Sequence, residues 1–397
     1  MHYDFTSTPK RFGICAPKWD EVEKYFPDLK ENIIPFSVAD MEFANAPEIQ
    51  EGLIEYIKKY PLGYTNRTDS YLQSICDWMQ RRHHWTVQPD WLLPSAGVIK
   101  AFFTAIRAFT EPGEGVMLMT PIYYPMYAAI SNNHRKLVKT SLINRNGRYE
   151  INWKDFETKA KDPNTKLLIL CSPHNPSSRV WTREELERIG RICIDNHVLI
   201  CSDEIHFDII MPGYTHTVFA TISDEFAQNC IICTAPSKTF NLAGLQTSII
   251  IIPNPELRER FHNVGLTECV NPKCCSLGYV ANEIAYWKGE AWFDECLRVI
   301  EHNRQLVTDY IESEIPQIRL TPMEGTYLQW MDLTALQLAP EEQGEILRKE
   351  GKLFFDDGYV FGEEGKGFER WNLACPTHYI EEALPRLKSV VNKYSKN

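Results

Sequence analysis

Five short apolar runs, at 116–119, 166–171, 198–202, 230–234 and 247–252, constrain the fold more than anything else in the chain. Their apolar residues are nearly consecutive rather than alternating, the pattern of strands covered on both faces. Charged stretches of helical character lie between several of them. One opens with Thr182-Arg183-Glu184-Glu185, a capping box in which the threonine accepts from the first turn and Glu185 reaches back to the cap. Buried strands alternating with amphipathic helices predict an α/β fold with a mostly parallel central sheet between helices. Ligands of such sheets sit at the carboxyl ends of the strands.

A chain of 397 residues is longer than one compact core usually reaches, so a large and a smaller domain are expected. Beyond Pro272 the pattern changes to long helices near 276–286 and 292–314, then to strand-like 325–331 and 370–375. The chain accordingly reads as an N-terminal segment, 1–45, packing with the small domain, a large domain at 46–285, and a small α+β C-terminal domain at 286–397. The formal charge of -11 argues against nucleic acid or an anionic membrane as the main partner. No apolar run is long enough to span a bilayer, and Met1-His2-Tyr3-Asp4-Phe5 lacks the basic-then-apolar layout of a secretion signal, so a cytoplasmic location is expected. Cys171, Cys201, Cys230 and Cys233 sit in strand-like runs and read as reduced core residues. Cys230-Ile231-Ile232-Cys233 has CxxC spacing, but without a second pair or histidines at zinc-site spacing no metal site is expected.

Polar groups collect just past the predicted strands. Ser172-Pro173-His174-Asn175-Pro176 follows 166–171, its prolines fixing an extended backbone that presents the Asn175 amide. Asp203-Glu204-Ile205-His206 follows 198–202, and Ser237-Lys238 follows 230–234. Upstream, Pro94-Ser95-Ala96-Gly97-Val98-Ile99-Lys100 leads into a helix expected at 101–110, whose exposed amides make an anion site. Each residue has a plainer reading by itself: Lys238 as an exposed turn lysine, Asp203 as a helix cap, Tyr123 as a core aromatic, Gly97 as relief for a turn, His206 as a structural hydrogen-bonding group. Together they meet the needs of pyridoxal phosphate (PLP). A lysine amine held off bulk water adds to the aldehyde. Asp203 supplies the counter-charge that keeps the pyridine nitrogen protonated, and with it the ring's capacity to accept electrons. Asn175 can donate to the phenolic oxygen, the Gly97 helix terminus with the Ser237 hydroxyl can hold the phosphate, and Tyr123 can stack on the ring.

These segments resemble the fold-type I PLP enzymes, and more closely the MalY/PatB-type C–S lyases of the class I/II aminotransferase-like group. The resemblance extends over nearly the whole chain. It runs through Lys18-Trp19-Asp20, Val38-Ala39-Asp40-Met41-Glu42-Phe43, Gly63-Tyr64-Thr65, Ser95-Ala96-Gly97-Val98 and Pro121-Ile122-Tyr123-Tyr124-Pro125, then Ser172 to Pro176, Ser202 to Asp208, the Lys238 segment and Phe368 to Pro376. It implies an aspartate aminotransferase-like fold in which 46–285 is the PLP-binding domain. Lys238 is then the Schiff-base lysine and the base for the Cα proton, Asp203 the pyridinium partner and Tyr123 the stacking ring. Gly97, Val98, Ile99, His206 and Ser237 complete the cofactor site. Arg370 binds the substrate α-carboxylate, with Asn175 and Ala39 beside it. A homodimer with its active site at the interface is implied, Tyr64 reaching the phosphate of the neighbouring subunit.

Three departures stand out. Ser177-Ser178 replaces a small or glycine residue after Asn-Pro and predicts a shifted turn. Lys100 replaces a common proline and adds charge near the phosphate helix. Gln246 replaces the phosphate-binding arginine of many aminotransferases, as it does in the lyase branch. The implied reaction is α,β-elimination from cystathionine or another cysteine S-conjugate to a thiol, pyruvate and ammonia. Transamination is the alternative, and a catalytically idle regulatory protein with this fold a more distant one.

Overall fold

The computed structural model describes residues 3–29, 33–268 and 274–395. Pro272, where the sequence pattern changes, lies outside them. In chain order the first strands are β1 (Leu92–Ser95), β2 (Gly115–Thr120), β3 (Lys136–Ser141), a hairpin of β4 (Ile143–Arg145) and β5 (Arg148–Glu150), β6 (Thr165–Cys171), β7 (Leu199–Asp203), β8 (Cys230–Thr234) and β9 (Ser248–Ile251). All but the hairpin join one sheet in the order β1-β9-β8-β7-β6-β2-β3. Within it β9 alone runs against its neighbours. The five apolar runs are β2, β6, β7, β8 and β9, so the α/β fold with a mostly parallel sheet is what the chain adopts.

The continuous apolarity has a simple cause. Along β2, Met117 and Met119 enter one core while Val116 and Leu118 enter the other, and β6 repeats this with Leu168 and Leu170 against Leu167 and Ile169. A strand covered by helices on both faces has no wet side on which a polar residue would be comfortable. The same alternation separates Cys230 from Cys233. Three residues apart in a strand, they belong to opposite cores, which prevents the pair from closing on one metal ion. Both thiols are free, and burial pushes both well above the usual thiol range.

A second sheet, antiparallel throughout, contains β10 (Arg319–Leu320), β11 (Leu328–Asp332), β12 (Asp356–Asp357) and β13 (Phe368–Asn372) in the order β10-β11-β13-β12. The helices Glu290–Glu314 and Thr377–Tyr394 flank it in sequence. Three boundaries differ by three residues from those the sequence suggests. The strand expected at 325–331 begins at Leu328, because Thr326 takes a left-handed φ of 64°. The strand expected at 370–375 ends at Asn372, whose Oδ1 accepts from Ala374 N at 2.9 Å while Cys375 N donates to Leu373 O at 3.0 Å, turning the chain. The helix expected at 101–110 is Val98–Phe109, with Gly97 as its N-cap at φ 94°.

The N-terminal segment is tied to the second sheet. Phe36 N donates to Phe354 O at 2.8 Å, Asn372 N to Phe36 O at 2.9 Å and Glu42 N to Ala374 O at 2.9 Å. The helix Arg183–Asp195 carries the expected capping box: Thr182 Oγ1 accepts from Glu185 N at 3.2 Å, and Glu185 Oε2 accepts from Thr182 N at 2.8 Å. Replacing Thr182 with alanine orphans one amide of the first turn and is expected to cost about 1 kcal/mol. The urea unfolding midpoint measures it, and an unchanged midpoint would mean that the cap contributes nothing.

Candidate active site

Five strand ends open into one cavity. Ser95 of β1 leads to Gly97, Thr120 of β2 to Tyr123, Cys171 of β6 to Asn175, β7 ends on Asp203, and Thr234 of β8 leads to Lys238. These residues line a space of about 710 Å³, together with Val98, Ile99, His206, Ser237, Ala39 and, from β13, Arg370. Every residue singled out from the sequence therefore meets there except Tyr64. That tyrosine is fully exposed and lies outside the cavity of its own chain.

Lys238 Nζ donates to the carbonyl of Ala39 at 2.6 Å, an acceptor it shares with the Tyr327 hydroxyl at 2.9 Å. Enclosure by protein lowers its pKa from 10.5 to about 8; Asp40 pulls it back up, Arg370 pushes it down, and Asp203 pulls up again. Half-buried and hydrogen-bonded to Ala39, Lys238 is not the exposed turn lysine of the plainer reading. Asp203, next to it, has the complementary problem. Burial raises its carboxyl to about 7, opposed by the amide of Ile205 and then by Lys238. Its Oδ1 accepts from Ile205 N at 3.4 Å, and its Oδ2 has the Cys171 thiol at 4.0 Å. No helix starts at Asp203, so it is not a helix cap.

His206 keeps its Nδ1 without a hydrogen-bond partner among the described residues, while its ring meets Tyr327 edge-on at 5.7 Å. Burial, then the Lys238 and Arg370 cations, hold its pKa well below the usual range, so the imidazole is neutral. The reading of His206 as a structural hydrogen-bonding group finds no bond at that nitrogen to support it. Tyr123, whose pKa burial and then Tyr124 raise to about 12, presents an un-ionised ring to the cavity. No side chain caps the helix Val98–Phe109 where it lines the cavity, so its first amides are donors for an anion.

Arg370 is held from two sides. Nη1 donates to Asn175 Oδ1 at 2.8 Å, and Nε and Nη2 donate to Asp356 Oδ2 at 3.1 and 2.6 Å. The contact fixes the Asn175 amide, because an oxygen engaged by the guanidinium leaves the Nδ2 donor for another ligand. Asp356, Tyr327 and Asn372 are site residues that the sequence reading missed. A signal was present for the first: Asp356-Asp357 is an acidic pair directly after apolar Leu353-Phe354-Phe355, where a buried carboxylate needs a cation. Among the departures, Ser178 adopts a left-handed φ of 56°, where glycine is usual. Its amide donates to His174 O at 2.7 Å and its hydroxyl bonds Thr326 Oγ1 at 3.0 Å, which offsets the strain. Lys100 and Gln246 both line the cavity.

The model of the family described as aminotransferase class I and II matches residues 31–387. The chain belongs to that family. Among its curated relatives, the cystathionine β-lyase PatB of Bacillus subtilis is 37% identical over 389 residues, 98% of this chain and 100% of that protein. Protein MalY of Escherichia coli is 29% identical, covering 98% and 99%. Of the solved structures, cystalysin from Treponema denticola, which contains a pyridoxal 5'-phosphate cofactor, matches with a TM-score of 0.96 at 44% identity, covering 99% of this chain and 100% of that one. An aromatic aminotransferase from Pyrococcus horikoshii, at 21% identity and TM-score 0.83, shares the fold alone. The MalY/PatB-type resemblance read from the motifs is thus borne out.

For this family member the depressed lysine is directly measurable. Competitive labelling of amines in the cofactor-free protein across the alkaline range is expected to give Lys238 a titration midpoint near 8. A midpoint near the ordinary 10.5 would mean that the amine is solvated.

Proposed function

We propose that this protein is a PLP-dependent C–S β-lyase that cleaves cystathionine or a related cysteine S-conjugate by α,β-elimination to a thiol, pyruvate and ammonia. The observation that carries the proposal is the enclosed Lys238 amine, set in one cavity with a cation-seeking carboxylate, Asp203, and a guanidinium, Arg370. PLP fits the residues present. Asp203 has no cation in hydrogen-bonding contact among the described residues, a position that suits a protonated ring nitrogen. The uncapped amides of Val98 and Ile99, with Ser237 nearby, suit a phosphate, and the Nδ2 of Asn175 suits a phenolic oxygen.

When bound, PLP supplies an electron sink for the pair released at the substrate Cα. Arg370 receives the substrate α-carboxylate in the planar fork geometry that suits that anion, and so fixes which bond at Cα faces Lys238. With a pKa of about 8, the free Lys238 amine has a substantial neutral fraction near physiological pH and takes the Cα proton. Tyr123, which lines the cavity, would cover one face of the cofactor ring. Sulfur leaves readily because thiols have a pKa of about 8.5. Elimination is favoured over transamination by the company the chain keeps: PatB and a Corynebacterium glutamicum protein 28% identical over 366 residues are both named cystathionine β-lyases. Gln246, in place of an arginine, agrees with this. The intact set of Lys238, Asp203, Asn175 and Arg370 argues against an idle regulatory role.

The same reading includes a homodimer in which Tyr64 reaches the neighbouring subunit's phosphate. Its support is the exposed apolar series Ile54, Ile57, Tyr60, Leu62 and Tyr64, which a second copy would cover. It also includes the division at 1–45, 46–285 and 286–397, supported by the two separate sheets, and a cytoplasmic location. Among the described residues no helix is long and apolar enough to cross a membrane. Purified protein given L-cystathionine without a keto acid is expected to release pyruvate and ammonia, and Lys238→Ala to lose roughly 10²–10⁴-fold in rate. Turnover only when a keto acid acceptor is added would identify an aminotransferase instead.

A further inference from the structure

Val38 is a β-branched residue at φ 55°, in the left-handed region that such side chains rarely occupy. A conformation of this kind persists only where its surroundings over-determine it. Here they do. Val38 N donates to both oxygens of Asp356, at 3.0 and 3.2 Å, and the Asn372 amide donates to the carbonyls of Val38 and Asp40 at 2.8 and 2.7 Å. The next carbonyl along, that of Ala39, accepts from Lys238 Nζ.

Asp356 touches the other half of the site as well. It lies opposite Arg370 in the β12–β13 register, and its Oδ2 takes both Nε and Nη2 of that guanidinium. One carboxylate therefore fixes the guanidinium and the turn that carries the lysine's acceptor. It also leaves Nη1, with Asn175, as the edge of Arg370 not engaged by an acidic side chain.

We propose that Asp356 is a positioning residue that holds Arg370 and the Val38–Ala39 turn in register, so that a carboxylate bound at Arg370 places its Cα against Lys238. The inference rests on the lyase reading for its substrate, but the geometry belongs to this chain. Its role is one of placement through hydrogen bonds, so a neutral amide that retains an acceptor oxygen should replace the carboxylate where a methyl group cannot.

The test compares Asp356→Ala and Asp356→Asn with the wild-type holoenzyme, by kcat and KM for L-cystathionine and by the visible circular dichroism band of the bound cofactor. Asp356→Ala is expected to lower kcat and raise KM by about tenfold each, and to diminish the dichroism band. Asp356→Asn is expected to recover most of kcat and the band. Ala values within about twofold of wild type, or an Asn variant as impaired as Ala, would overturn the proposal. If Asp356→Ala does not fold, the Asn variant decides: a retained kcat and band support the proposal, and loss of both overturns it. Wild-type protein that shows the band but makes no pyruvate fails the lyase reading only. The dichroism comparison then decides this one, a diminished band in Asp356→Ala supporting it and an unchanged band overturning it.

Discussion

The hydrogen bond from Lys238 Nζ to the carbonyl of Ala39 joins residues 199 positions apart on the wall of the cavity that both sheets line. Much of the site's organisation exists to hold those two partners where they are. On one side, β8 delivers Lys238 past the edge of a sheet whose strands are buried on both faces. On the other, the Val38–Asp40 segment is pinned by Asn372 and Asp356 from the second sheet. The amine left between them is enclosed enough to lose its proton easily, which is the property a lysine needs to act as nucleophile or base.

That segment is held by a cluster of four charges, two of which, Lys18 and Glu42, are fully buried. Asp40 meets Arg11 at 2.8 Å and Lys18 at 3.4 Å, Glu42 meets Arg11 at 2.9 Å and Lys18 at 3.1 Å, and Trp19 Nε1 adds a bond to Glu42. Two cations and two carboxylates at these distances balance each other, yet taking Lys18 and Glu42 out of water costs several kcal/mol per ion before pairing returns it. Replacing a buried ion pair with hydrophobic residues of similar volume is often neutral or stabilising, so stability alone does not account for these charges. The charges are better explained by what they fix: Lys18 Nζ also donates to the Asp40 carbonyl at 3.1 Å, one residue from the acceptor of Lys238. Asp40 in turn is the largest influence raising the Lys238 pKa.

The framework was legible in the sequence because its signal is periodicity. Consecutive apolar residues mark doubly covered strands, and the residues just past them mark the ligand edge, which is why Asn175, Asp203 and Lys238 could be placed together from the sequence, while Gly97 was read from the helix start it precedes and Tyr123 from its fit to a PLP ring. Strand ends governed by single backbone conformations were less legible. Thr326 in a left-handed turn shortens β11, and no residue pattern announces it. Arg370 was legible only through resemblance, and its counterion Asp356 was not read at all. The pairing of Asp356 with Arg370 is a cross-strand contact between residues fourteen apart, set by the register of β12 on β13. Tyr64 was read only through the resemblance, and its side chain is fully exposed in this chain.

The account stands on Lys238 being the residue that takes up the cofactor's aldehyde. Reduction of the holoprotein with borohydride, followed by digestion and peptide mass mapping, tests this without reference to any substrate. The cofactor's mass is predicted on the peptide containing Lys238, at that lysine alone. Attachment at Lys100 or Lys18, or no attached cofactor, would contradict it.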